Sequence, residues 1–491
     1  MAVSDKKHTL KTTAAVGGGQ FITIIAGIIR TKIAALILGP SGVGVIGLFT
    51  VATEMIKSIS SLGIPLSGVR EISIADSSGD SHKAEFAVEV FNKWIFFTAI
   101  VGAIACALLG YPISKYLFGD YSYGLSLVFL SFSVFFSTLS AGRIGVLQGR
   151  RAIPLMVKAN LYGAVIGSAI AILIYLLLKE NGIVPSLIVM SVVNFLFSFF
   201  YYKKLGLRQK KTISFFKSYP YARNMIRIGF FTIIVGVFDQ LMNLGLRSFV
   251  LEKSGTNGVG LFTAATTVAG MYLTVILTSL SSDYLPKLAA LKTNADIASA
   301  VNLQLNIVLL LASPFIIAMV GFSDWVLRLL YSQKFLGAAQ VLQWQVLGDF
   351  FKIISWPCGF IFLAKGHGKA YTIYSITYTL IYVAIIYFGW NTLGFSIVGF
   401  SFFISQLVAA ISTYIIFYRI YNIKISKENF KIIFILGLLL FLSYMSHHFI
   451  SNVFISNISC SIIIFISLYI AIRNLDENSS ILSRLKQKIR R

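Results

Sequence analysis

Charged residues make up only 12% of the 491-residue chain, acidic residues number 18, and cysteine occurs three times. So few charges, beside 57% hydrophobic residues and a mean hydropathy of +0.81, exclude a soluble protein of ordinary make-up. Cys106, Cys358 and Cys460 stand apart in apolar stretches, which points to packing rather than to disulfides or thiolate metal sites. Of five histidines only His447 and His448 adjoin, and no metal site is expected there. Motifs of catalysis are also missing: there is no GxSxG, P-loop, CxxC pair or HExxH. Gly42 to Gly47 (GVGVIG) matches the dinucleotide fingerprint only formally, because it falls between two apolar stretches rather than after a strand. No enzyme activity and no cofactor are expected, and substrate binding without bond chemistry is the better reading.

The chain instead has apolar stretches, fourteen of them, each near the roughly 20 residues that cross a bilayer core. They begin with Thr12–Leu38 and Val43–Ile64, include a ninth at Leu303–Leu330, and end with Ile432–Ile450 and Val453–Ile472. With the N-terminus inside, 32 Lys and Arg fall on inner segments and five (Lys115, Lys179, Lys253, Arg328, Lys334) on outer ones. That bias predicts a multi-pass plasma-membrane protein with both termini cytoplasmic. It also accounts for the formal net charge of +24 without nucleic acid. The longest polar stretches, Ser67 to Lys93 and Lys203 to Arg227, are about 25 residues each, too short for an independent binding domain. No cleavable signal peptide is expected, since the first stretch is longer than an h-region.

The chain repeats itself. GLFTVAT at Gly47–Thr53 returns as GLFTAAT at Gly260–Thr266, 213 residues on, with a GVG beside each string. Two homologous halves follow, and membrane proteins with such halves are usually transporters. The expected fold is all-α. An N-lobe covers 1–203, a cytoplasmic linker 204–227 includes an interfacial helix, a C-lobe covers 228–420, and two extra spans with a basic tail fill 421–491.

Charges inside spans cost several kcal/mol at the bilayer centre unless paired or facing water, so they are the candidate functional residues. The basic ones are Arg30, Lys32, Lys57, Arg247 and Lys352, and the acidic ones are Glu54, Asp239 and Asp349, with Asp283 at a span end. Arg30 and Glu54 are expected at similar depths, within pairing reach. Asp349 and Lys352, at i and i+3, share a helix face and could form an ion pair. Five cations against three anions leave positive charge over. A cavity between the lobes lined by these residues should therefore bind an anion, plausibly a phosphate or pyrophosphate, with Arg as the bidentate donor. Glu54 and Asp239 are the candidates for exchanging a proton or other coupling ion with the cargo. Pro314 and Pro357 are candidate hinges.

Two stretches carry a family likeness. Lys32 to Gly44 (KIAALILGPSGVG) places a Lys seven residues before a GPxGxG turn. Phe335 to Lys365 contains Trp344-Gln345, Gly348-Asp349, Lys352, Gly359 and Ala364-Lys365. Both resemble Wzx-type O-antigen and enterobacterial common antigen flippases of the multidrug/oligosaccharidyl-lipid/polysaccharide exporter superfamily, over about residues 10 to 420. The resemblance implies alternating-access export of an undecaprenyl-pyrophosphate-linked oligosaccharide from the inner to the outer leaflet. It also implies membrane lipids as partners, and a polysaccharide polymerase with chain-length machinery downstream. The alternatives are a cation-coupled multidrug antiporter of the same superfamily, which would want an acidic pocket, and an integral membrane polymerase. The chain departs from its relatives in the last two spans. These suggest a lipid-tail path or a peripheral packing pair, and Arg484 to Arg491 suggests a contact with anionic lipid.

Overall fold

A computed structural model describes residues 2–77, 80–206, 215–291, 293–365, 367–450 and 452–478. Within these ranges, side chains at 2–21, 66, 77, 215–217, 222, 224–233, 279, 282–283, 285–287, 289–290, 363, 368 and 475–478 are outside the description. The Asp283 side chain and the basic tail, 484–491, therefore lie outside the description. The fold is all-α, with no strand among the described residues. Its helices are α1 (Ala2–Ser60), α2 (Ile64–Ser77), α3 (Ser81–Phe118), α4 (Gly124–Gly149), α5 (Ile153–Leu178), α6 (Ile183–Lys203), α7 (Phe215–Ala290), α8 (Asn294–Gly321), α9 (Ser323–Leu330), α10 (Ala339–Ala364), α11 (Gly368–Leu393), α12 (Ile397–Tyr421), α13 (Lys427–Phe449) and α14 (Val453–Asn478).

Among the described residues nine helical stretches are long and apolar enough to cross a membrane. Four of them, Ile22–Ser60, Ile153–Lys203, Ile234–Thr278 and Lys369–Tyr421, run 39 to 53 residues and so have room for two spans each. Together with α10 they account for the fourteen predicted spans. The ninth is displaced from its predicted place. Its helix starts at Asn294 and stops at Gly321, and Ser323–Leu330 forms the separate α9. The break falls where Gly321 meets α14 so closely that a Cβ there would lie 2.9 Å from Cys460 Sγ.

Two compact units make up the chain, one of Met1–Gly260 with Leu330–Ser332 and one of Leu261–Leu329 with Gln333–Arg491. The boundary between these units falls inside α7, after Gly260. The first arm of α7 belongs with the first unit because it docks there. Trp94 Nε1 of α3 donates to the buried Ser218 Oγ at 3.0 Å, and the Phe86 and Tyr221 rings meet edge-on at 4.8 Å. The stretch expected as an interfacial helix is thus the opening of α7, anchored by an indole hydrogen bond.

The internal repeat is visible as backbone geometry. α1 breaks at Gly39 (φ 67, ψ −170) and α7 breaks at Gly255 (φ 66, ψ −174), a conformation that side chains disfavour and glycine tolerates. These breaks lie 216 residues apart, as do the two GVG strings, whereas the GLFT strings lie 213 apart. The strings sit three residues, nearly one helical turn, out of register with the breaks; they signal the repeat but misplace its equivalences. Within the first unit the arms after the two breaks cross. A Cβ on Gly44 would fall 2.3 Å from the Thr256 carbonyl oxygen, and one on Gly260 would fall 1.8 Å from that of Pro40. Pro40 and Thr256, like Gly44 and Gly260, are repeat equivalents, so the contact is reciprocal. Ser41 Oγ and Thr256 Oγ1, 2.7 Å apart, close it with a hydrogen bond.

In the second unit α13 and α14 pack against α8. Asn306 Nδ2 donates to Asn429 Oδ1 at 2.9 Å, Asn429 Nδ2 donates to the Asn302 carbonyl at 2.8 Å, and Ser443 Oγ donates to that of Ile317. Large apolar side chains such as Phe434, Phe454 and Phe465 stay exposed on the appended helices. Pro357, a candidate hinge, has tyrosine hydroxyls bound to the carbonyls around it. Tyr284 donates to its carbonyl at 2.9 Å, and Tyr414 donates to the Ile354 carbonyl one turn earlier at 3.3 Å. Outside the spans, Asp80 caps α3 by accepting from the Lys83 and His82 backbone amides, which holds its carboxyl below the usual range, the Lys83 bond contributing most.

Candidate functional site

Each unit carries its own subset of the predicted residues. Arg30, Lys32, Glu54 and Lys57 on α1, with Asp239 and Arg247 on the first arm of α7, belong to the first unit; Asp349 and Lys352 on α10 belong to the second. Asp239 and Arg247, expected on the C-lobe side, precede Gly260 and so lie in the first unit.

The expected Arg30–Glu54 pair does not form. Glu54 takes Lys57 instead, one turn further along the same helix, at 2.8 and 3.1 Å. This local partner needs no movement between helices. Arg30, half-buried, directs Nη1 at the Met190 sulfur of α6, 2.8 Å away. A thioether is a weak acceptor, so a guanidinium with five N–H donors keeps nearly all its donating capacity. Among the described residues it has no carboxylate partner. Arg247 is only 8% exposed, and its Nε donates to Asn243 Oδ1 at 3.1 Å on the same helix. Lys32 is half-buried and Asp239 is exposed.

Met190 also lines a cleft of about 400 Å³ within the first unit. The cleft's walls come from four helices: Thr50, Thr53 and Glu54 of α1; Ser133, Ser137 and Ser140 of α4; Asn160 of α5; and Ser191 and Asn194 of α6. The three α4 serines stand at i, i+4 and i+7, which aligns them on one face. Residue by residue they read as unremarkable hydroxyls in an apolar span, so the sequence offered only this spacing as a signal, and it went unread.

On α10 the expected Asp349–Lys352 ion pair is not direct either. Asp349 is 3% exposed and its Oδ2 accepts from the Tyr272 hydroxyl of α7 at 2.8 Å, whereas Lys352 Nζ lies over the Phe402 ring, 5.9 Å from its centre. The rest of that motif is a packing seam between α10 and α12. Trp344 meets Phe400 and Phe403 with ring centres 5.0 and 5.4 Å apart, and a Cβ on Gly348 would lie 2.6 Å from Phe402. Exchanging the charges (Asp349→Lys with Lys352→Asp) is therefore expected not to restore folded protein. Tyr272→Phe and Asp349→Leu should each lower thermal stability in detergent, and the double variant should cost little more than either alone, since one buried hydrogen bond is lost once. Additive losses would separate the two side chains.

Arg143 of α4 is not among the charges singled out from the sequence. It donates to Asn92 Oδ1 and lies 4.5 Å from the Tyr202 ring centre, while its buried Nε has no partner among the described residues. Asn92 in turn donates to the Tyr202 hydroxyl at 2.9 Å. His447 makes its own contacts in the last turn of α13. Its Nδ1 lies 3.2 Å from the Gly321 carbonyl and its Nε2 3.9 Å from Asp324, and no metal-holding group occurs among the described residues.

The geometry agrees with what the chain resembles. The lipid III flippase of Escherichia coli (strain K12) is 23% identical over 383 residues, spanning 74% of this chain and 87% of that protein. Among solved structures, the lipid II flippase MurJ in an inward closed conformation superposes with a TM-score of 0.65 at 17% identity, covering 94% of this chain and 99% of its own. An inward-facing multidrug resistance transporter of the MATE family superposes at 0.68 and 16%, covering 82% and 94%. At these identities the two structures establish a shared fold. Coverage of 94% cannot be reached without matching part of the chain beyond Lys427, so the MurJ likeness extends into the appended helices. The profile of the polysaccharide biosynthesis protein family matches residues 33–340, well over half the chain, and the protein belongs to that family.

Proposed function

We propose that this protein is a flippase for a lipid-linked oligosaccharide, carrying an undecaprenyl-pyrophosphate-bound repeat unit of a surface polysaccharide such as O-antigen from the inner to the outer leaflet of the bacterial plasma membrane. The observation that carries the reading is Arg30, a half-buried guanidinium whose one side-chain hydrogen bond among the described residues goes to a thioether. A planar fork left so unengaged suits the oxygens of a diphosphate. Membership of a polysaccharide biosynthesis family and likeness to a lipid III flippase support the cargo. A multidrug antiporter for cationic drugs is supported less well. The one carboxylate lining the cleft, Glu54, is already matched by Lys57 at 2.8 Å.

Both termini lie in the cytoplasm by the distribution of basic residues, so the crossed arms at Gly44 and Gly260 stand toward the outer face. Transport by alternating access needs the diphosphate held while the polyprenyl tail stays in lipid, and then a path outward, which requires the reciprocal glycine contact to part. The freed repeat unit would pass to a membrane polymerase and its chain-length machinery. The test is purified protein in vesicles carrying lipid-linked oligosaccharide. Lectin-accessible sugar should rise on the far leaflet with the protein and not without it; no difference overturns the reading.

Coupling is assigned to Asp239, a carboxylate exposed on the first arm of α7, with Glu54 as the next residue to test. Asp239→Asn keeps the shape and forbids titration. In vesicles it should preserve binding of the lipid-linked sugar and lose any response of export to an imposed pH difference. A mutant that responds like wild type removes Asp239 from coupling.

A further inference from the structure

The cleft beside Arg30 is lined by groups that match sugars better than phosphates. Among the described residues its polar wall consists of hydroxyls and amides with one carboxylate, Glu54, matched by Lys57 at 2.8 Å, and no Lys or Arg lines it to hold an anion. Most of the donors are already used on their own helices. Thr50 donates to the Ile46 carbonyl, Thr53 to Phe49, Ser137 to Val134 and Asn194 to Met190, while Ser133 and Ser191 share one bond at 2.6 Å. A hydroxyl whose proton is committed still offers its lone pairs, so the wall presents acceptors. Every saccharide hydroxyl carries a proton that such acceptors can take, and a carboxylate can take two from a vicinal diol. The volume of about 400 Å³ falls within the roughly 300–1,000 Å³ of small-ligand clefts.

We infer that this cleft, formed by α1, α4, α5 and α6 of the first unit, is the saccharide subsite, holding a sugar of the repeat unit while Arg30 holds the diphosphate. Met190 joins the two parts, touching Arg30 with its sulfur and lining the cleft. The inference rests on the flippase reading and adds to it a separation of roles: Arg30 recognises what every carrier lipid shares, and the acceptor wall recognises the sugar.

The experiment measures binding to purified full-length protein in nanodiscs with two probes, polyprenyl pyrophosphate without sugar and the glycosylated carrier extracted from the source strain. Ser137→Ala combined with Ser140→Ala removes two wall hydroxyls, and Ser140→Phe fills the space. A thermal unfolding curve for each variant verifies the fold. Loss of two hydrogen bonds should weaken the glycosylated carrier about tenfold and the bare carrier less than twofold, and the Phe variant should weaken the glycosylated carrier further. Equal losses for both probes, or none for either, overturn the saccharide subsite. Wild-type protein that binds neither probe overturns the flippase reading itself, which separates the two failures.

Discussion

Arg30→Ala should abolish surface polysaccharide while leaving the protein in the membrane at its normal level. Loss of the side chain costs little in folding, because its one side-chain hydrogen bond among the described residues goes to the Met190 sulfur, a weak acceptor. Its loss to function is large. A charge-assisted hydrogen bond contributes about 1.5–3 kcal/mol, and a bidentate Arg makes two to a diphosphate, so affinity should fall by two orders of magnitude or more. Arg30→Lys should rescue only partly, since an ammonium is a point charge without the planar fork. Immunoblots of membranes and surface glycan from a complemented deletion strain provide the measurement. Wild-type glycan in a well-expressed Arg30→Ala strain would remove this residue from the site. If protein level and glycan fall together, its role is packing.

The second large effect is expected at the crossed arms. Ser41→Cys with Thr256→Cys places two thiols where the hydroxyls now lie 2.7 Å apart, a separation compatible with a disulfide after small adjustment. Cys106, Cys358 and Cys460 are fully buried and should not compete. If the reciprocal contact at Gly44 and Gly260 parts in every cycle, the oxidised double variant loses export nearly completely and reduction restores it. Each single variant should transport normally under both conditions. Full export by the oxidised, demonstrably cross-linked protein would make the contact a static part of the fold. A complementary variant, Gly260→Ala, puts a methyl into the Pro40 carbonyl and should hold the arms apart, seen as faster labelling of a single cysteine at Ser41.

Where the sequence misled, the error was of one kind. Arg30 with Glu54, and Asp349 with Lys352, are opposite charges at compatible depth or spacing, yet the partners are Met190, Lys57 and Tyr272. Depth along a helix follows from counting residues; rotation about its axis, which decides what a side chain faces, does not. Tyr272 is 77 residues from Asp349 and Met190 is 160 from Arg30, separations over which no periodicity reports. The cleft was missed for a related reason. Its wall comes from four helices, and each contributes ordinary serines, threonines or asparagines that are conspicuous only when assembled.

The amino-acid sequence by itself determined the medium, the fourteen spans, the duplication and the family likeness. Hydrophobic run length, charge asymmetry and repeated strings are local or summed properties that survive without knowledge of packing. Tertiary structure alone decided that α7 changes unit at Gly260, that the repeats are related by 216 residues through Gly39 and Gly255, and that Arg30 stands beside an acceptor-lined cleft. Those outcomes depend on which helix faces meet. In a chain whose spans are apolar all round, the faces are chosen by close approach at glycines and by a few polar contacts that no hydropathy pattern encodes.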